Sequence, residues 1–250
     1  MKSPATLLTL AAFAFALNLP AQDKAAPKPA PQPPDVAAPK FDKTGQPDAN
    51  FIKRHESFVA TAKAGGVDVV FLGDSITAGW GGQNAKPVWD AAFGKYKPAN
   101  FGIGGDRTQH VLWRISNGEL DGISPKAAVL MIGTNNSGSD SAEGIAKGIT
   151  AIVKYLREKS PRTKVLLLAV FPRGEKAAPN PGREKLKQVN DIVAKLHDGK
   201  NVHYLDIGTK FLEADGSLSK EVMPDFLHLS AKGYQIWADA IGPKLAELVK

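Results

Sequence analysis

Five short apolar runs limit what this chain can fold into. They lie at residues 67–72, 98–101, 127–132, 164–170 and 202–205, and the third and fourth are almost purely aliphatic. Runs of four to seven residues rich in Val, Ile, Leu and Phe read as strands buried on both faces. Between them lie stretches with helical spacing, at 51–64, 108–116, 142–159, 183–197 and 231–249. Val111, Leu112 and Ile115 fall on one face of the second, and Ser160-Pro161 stops the third. Strands that alternate with helices of this length make βαβ units and a parallel sheet. Right-handed crossovers then predict an α/β fold, a three-layer α/β/α sandwich.

The chain before residue 48 reads differently. Lys2 precedes an apolar run over residues 7–17, and Leu19-Pro20-Ala21 fits a small-residue cleavage site. Residues 1–21 are therefore expected to be a secretory signal peptide, too short to span a membrane comfortably. Residues 22–47 come next, with prolines at 27, 29, 31, 33, 34 and 39 in the stretch up to Lys40. Such composition predicts a disordered, extended spacer. The folded unit is expected over residues 48–250, long enough for a sizeable core. The expected destination is the periplasm or the exterior, with no integral membrane segment left in the mature chain.

Cysteine is absent, so the core must hold the fold without disulfides, and thiolate chemistry is excluded. No histidine pair has metal-ligand spacing such as H-E-x-x-H, so neither a metal nor another cofactor is expected. The formal net charge of +7 is spread along the chain without one basic run, which reads as a solvated surface and not a nucleic-acid site.

In a parallel sheet every strand ends on the same rim, and ligands bind there. The segments after these runs are polar and glycine-rich. The first run ends in Gly73-Asp74-Ser75, the second in Gly102-Ile103-Gly104-Gly105-Asp106, the third in Gly133-Thr134-Asn135-Asn136. After the fifth, just before the last helix, stands Asp225-Phe226-Leu227-His228. Ser75 alone can be an ordinary helix N-cap, and glycine turns usually only turn the chain. Gly102-Ile103-Gly104 does not begin a dinucleotide fingerprint, because its third glycine would fall at Arg107.

Together the groups suit acyl transfer. Ser75 needs a base to take its proton, and His228 can serve. Asp225 can hold the imidazole from its other nitrogen. The oxyanion formed on an ester carbonyl needs preorganised donors: the backbone N–H groups of Ser75 and Gly105, and the side-chain amide of Asn135. Histidines 55, 110, 197 and 203 have no acidic residue in comparable register and read as packing or surface residues. Trp80, His110, Arg173 and the 174–182 loop are candidates for the rim of the substrate site, whose residues the sequence does not otherwise declare.

Ser75, Gly105, Asn135 and His228, in that order and spacing, resemble the four sequence blocks of the SGNH (GDSL-type) hydrolases. The stretch from Asn100 to Arg114, with Asn117-Gly118-Glu119-Leu120, Phe171-Pro172-Arg173-Gly174 and Leu227-His228-Leu229-Ser230, is similar to the type IB platelet-activating-factor acetylhydrolase catalytic subunits. The resemblance runs from about residue 65 to the C-terminus. It implies a flavodoxin-like five-stranded sheet ordered 2-1-3-4-5, Ser75 as nucleophile with Asp225 and His228, an oxyanion hole from Ser75, Gly105 and Asn135, and a homodimer. Asn136 departs from the Asp that many members carry, and an exported N-terminus departs from the intracellular acetylhydrolase subunits.

The function expected on these grounds is that of a secreted serine esterase. It removes short acyl groups, acetyl foremost, through an acyl-enzyme, from O-acetylated carbohydrate or (lyso)phospholipid-type substrates. No insertion is long enough for a hydrophobic lid. The alternative is a catalytically silent carbohydrate-binding module on the same fold, which labelling by an organophosphate serine probe would exclude.

Overall fold

The computed structural model describes residues 32–250; the expected signal peptide and residues 22–31 lie outside that range. The five expected strands form one wholly parallel sheet: β1 Val69–Gly73, β2 Pro98–Gly102, β3 Ala127–Met131, β4 Lys164–Leu168 and β5 Val202–Leu205. Their spatial order is β2-β1-β3-β4-β5. The order reverses at β1, so the loops after β1 and β3 leave neighbouring strands at a switch point.

Alternation within each strand divides the core in two. Val70 and Leu72 of β1 face one layer, with helices α1 (Ala49–Ala64), α4 (Thr108–Arg114), α5 (Ala142–Lys159) and α6 (Pro181–Val193). Val69 and Phe71 face the other, with α3 (Lys86–Phe93) and α7 (Ala231–Leu248). All five residues of β1 and of β3 are buried, as a strand covered by helices on both sides requires.

Two α-helices have no counterpart in the sequence reading. The crossover from β1 to β2 contains α2, a single turn at Ser75–Ala78, and then α3. The glycines at 79, 81 and 82 break the apolar period between them. Trp80, Trp89, Phe93, Tyr234 and Trp237 cluster here with ring centroids 4.5–6.2 Å apart.

Residues 32–47, expected as free spacer, instead lie against the domain. The Ala38 N–H donates to Gln109 O at 3.2 Å, and Thr108 Oγ1 donates to Pro34 O at 2.7 Å. A bridge between Phe41 and Pro47 and a turn on the Asp42 carboxylate close the segment before α1. The arm turns at Pro33–Val36 and again at Asp42–Gly45, and its carbonyls find donors on the domain. Among the described residues no helix is long and apolar enough to cross a membrane.

Candidate active site

Ser75 stands at the carboxyl end of β1 as the first residue of α2. The cap of that helix is its neighbour: Asp74 Oδ1 accepts the Ile76 N–H at 3.0 Å, which leaves the serine hydroxyl free of capping. The turn is tight because α2 rests on the end of β2. A Cβ on Gly102 would collide with the backbone nitrogen of Ala78. Tyr234 Oη, on α7, donates to Ile76 O at 2.7 Å and holds α2 against the layer they share.

The structure brings Ser75, His228 and Asp225 together. Ser75 Oγ lies 2.9 Å from His228 Nε2, and His228 Nδ1 lies 2.7 Å from Asp225 Oδ2. The other Asp225 oxygen builds the loop, accepting the N–H groups of Leu227 at 3.1 Å and His228 at 2.7 Å. One carboxylate thus shapes the turn and orients the ring. Partial burial raises its pKa, but the His228 and Leu227 hydrogen bonds outweigh that and leave Asp225 below its ordinary value. Phe226 between them takes a left-handed φ of 58°, and the Gly174 N–H holds its carbonyl at 2.8 Å. Ser230 then caps α7 through the Gly233 N–H.

The glycine loop and the Asn135 turn meet beside the serine. A Cβ on Gly104 would lie 4.0 Å from Ser75 Cβ. Asn135 Nδ2 donates to Asp106 O at 2.9 Å through one of its two N–H bonds. Gly105 has φ +72°, and its N–H donates to no acceptor among the described residues. The Ser75 N–H opens a helix and so has no intrahelical acceptor. All five expected residues therefore share one rim.

Several residues that the sequence reading gave no role support the site. Asn136 is fully buried: its Oδ1 accepts the Thr108 N–H at 3.0 Å, and its Nδ2 donates to Gln109 and Asp140. It ties the Asn135 turn to the start of α4. Arg114, also fully buried, donates to Asp106 Oδ2 at 2.9 Å and Phe101 O at 2.9 Å, and pairs with Glu119. Burial depresses the guanidinium's pKa, but the two carboxylates more than restore it. Arg114 falls at i+3 from Val111, on the apolar face of α4, and that position is the signal that marks it as buried.

The rim expectations change. Trp80 is fully buried in the aromatic cluster, and His110 is only 6 % exposed, so neither lines an open site. Burial first, then Lys40, Arg107 and Arg114, push the His110 pKa down to about 3. The neutral ring accepts the Arg107 N–H on Nδ1 at 3.1 Å. Arg173 is half-buried and spans to Thr134 O at 3.1 Å, while residues 175–179 are exposed. Among the described residues no group of three or more His, Asp or Glu is placed to hold a metal.

Residues 71–236 match the model of the GDSL-like lipase/acylhydrolase family. The chain belongs to that family. The acylhydrolase is 44 % identical over 190 residues to the human platelet-activating factor acetylhydrolase IB subunit alpha1, covering 76 % of this chain and 80 % of that protein. To the rat alpha2 subunit it is 42 % identical, with the same shares covered. A solved structure from Streptococcus pneumonia superposes with a TM-score of 0.67 at 25 % identity, over 78 % of this chain and 92 % of that one. The acylhydrolase is thus a carboxylic ester hydrolase with an α/β fold shared across the family.

Proposed function

We propose that this acylhydrolase is an exported serine esterase that removes short acyl groups, acetyl foremost, through a covalent acyl-serine. The observation that supports it is the unbroken relay from Ser75 Oγ through His228 to Asp225, at 2.9 and 2.7 Å. His228 takes the serine proton as Oγ attacks the ester carbonyl. The N–H groups of Ser75 and Gly105 and the free N–H of Asn135 receive the developing oxyanion. Collapse expels the alcohol, which takes its proton from His228. Water activated by the same ring then hydrolyses the acyl-serine.

Two features favour a short acyl group on a bulky carrier. The interior beneath α2 is filled by Trp80, Tyr234 and Trp237, which leaves little room for a long chain. On the outer side, the His228 and Asp225 side chains are 45 % and 56 % exposed, so the mouth is open to a large alcohol. O-acetylated carbohydrate and (lyso)phospholipid-type esters both meet that description. The name of the curated relatives, an acetylhydrolase, agrees with the acetyl preference. The N-terminal signal motif supports export.

Kinetics on 4-nitrophenyl esters of increasing chain length test this reading. The specificity constant should fall by about tenfold or more from acetate to octanoate. Asn135→Ala should lower kcat on the acetate by about 10²–10³ with KM little changed. A specificity constant that rises with chain length would overturn the short-acyl assignment. Unchanged kcat in Asn135→Ala would remove that side chain from the oxyanion hole. An acetylated sugar compared with an acetylated ether phospholipid then distinguishes the carriers.

A further inference from the structure

The N-terminal arm carries a side chain into the oxyanion loop. Lys40 Nζ donates to Gly104 O at 2.6 Å and stands 3.3 Å from Asp106 Oδ1. It therefore brackets Gly105, whose Cβ, if present, would lie 3.4 Å from the ammonium. The Gly104 carbonyl and the Gly105 N–H belong to one peptide plane and point in opposite directions across it. A cation that fixes the carbonyl on one side fixes the N–H on the other. The linkage between two glycines has no Cβ to restrict rotation, so this peptide can flip unless something holds it. Flipped, it would direct an oxygen toward the serine in place of a donor.

The ammonium also completes the charge of the buried cluster beneath the loop. Arg114 lies between Asp106 and Glu119, so the formal charges of these three fully buried groups sum to minus one; burial raises the Asp106 pKa, and Arg114 and Lys40 oppose that rise. The Arg114 bond occupies Asp106 Oδ2, while buried Oδ1 accepts no hydrogen bond among the described residues. His110 Nδ1, 3.8 Å away, cannot supply one, because it already accepts the Arg107 N–H. Lys40 supplies the missing positive charge. Its own place is fixed by backbone: Lys40 O accepts the Asp48 N–H at 2.8 Å, and Ala38 bonds to Gln109. Its ammonium also lies 5.8 Å from the centroid of the Phe51 ring.

We propose that Lys40 is a positioning residue for the oxyanion hole. By holding the Gly104–Gly105 peptide through its carbonyl, it keeps the Gly105 N–H aimed at the reacting oxygen. The charge-assisted bond further polarises that peptide and strengthens its N–H as a donor. The inference rests on the reading of Gly105 as an oxyanion donor. It makes residues 32–47 part of the catalytic unit.

Steady-state kinetics on 4-nitrophenyl acetate, in the full chain, test it with Lys40→Met, Lys40→Arg and a control, Lys43→Met, in the exposed turn of the same arm. Turnover is expressed per active site titrated with a fluorophosphonate, so an unfolded fraction does not enter kcat. Lys40→Met should lower kcat by about tenfold to a hundredfold with KM within about twofold. It should also weaken a trifluoromethyl ketone, which forms a tetrahedral adduct, by a similar factor. Lys40→Arg should recover most of both, and Lys43→Met should match wild type. A Lys40→Met enzyme with wild-type kcat per site overturns the proposal, as does a loss in KM alone or an Arg variant no better than Met. Ser75→Ala is measured alongside: if it keeps turnover, the serine-esterase reading itself fails, which is a different result.

Discussion

Asp74, next to Ser75, is fully buried, and its Oδ2 finds no hydrogen-bond partner among the described residues. Burial, reinforced by the charge of Asp106 and opposed by the Ile76 N–H and His228, raises its pKa from 3.8 to about 7. Between those values the native state holds a proton that the unfolded chain has released. Folding stability should therefore fall as pH rises from about 4 to about 7 and level off above. Asp74→Asn keeps the oxygen that caps Ile76 and removes the titration. Denaturant melts at about pH 5 and pH 8 should show the variant gaining about 2–3 kcal/mol on wild type between them. Parallel curves for the two proteins would show that Asp74 titrates normally. At this scale the meeting of Ser75, Asp225 and His228 on one rim was legible, because the proposed chemistry restricts their types and spacing. The sequence did not reveal Lys40 or Asp74's burial, since one lies in a proline-rich tract and the other stands in a polar turn where the cap was expected at Ser75.

The glycine loop owes its shape to α4 and to the strand ends that Arg114 joins. The guanidinium reaches Asp106 on the loop, Phe101 O on β2 and Glu119 past the end of α4. His55 of α1 extends the chain, with Nδ1 3.2 Å from Glu119 Oε1. Arg114→Met should strip two buried carboxylates of the guanidinium they share and cost about 3–5 kcal/mol in urea denaturation, because breaking a buried pair strands its partners. A loss below about 1 kcal/mol would mean that water reaches the cluster. The strands were legible because double burial demands continuous apolar runs. The helix Lys86–Phe93 was not, because the glycines around Trp80 hide where its period begins. The docked arm was missed for a similar reason: its contacts are made by backbone carbonyls, which composition does not report.

In the whole molecule the two layers are unequal in function. The α1, α4, α5 and α6 layer contains the cluster that supports the glycine loop, and the α3 and α7 layer supplies the aromatic floor and the helix after His228. The site lies between them at the switch point, where β1 and β3 deliver Ser75 and Asn135 from adjacent strands. The parallel three-layer fold follows from the alternation of strands and helices, and so was readable early, whereas the strand order was implied by the family resemblance. The acyl carrier is not readable, because it meets exposed loop residues whose types fit many ligands. Everything proposed for catalysis depends on a covalent step at one oxygen. Labelling with a fluorophosphonate, then peptide mass mapping, should place a single adduct on Ser75 and none on Ser75→Ala. Absence of label on the wild type, or equal labelling of the variant, would contradict it.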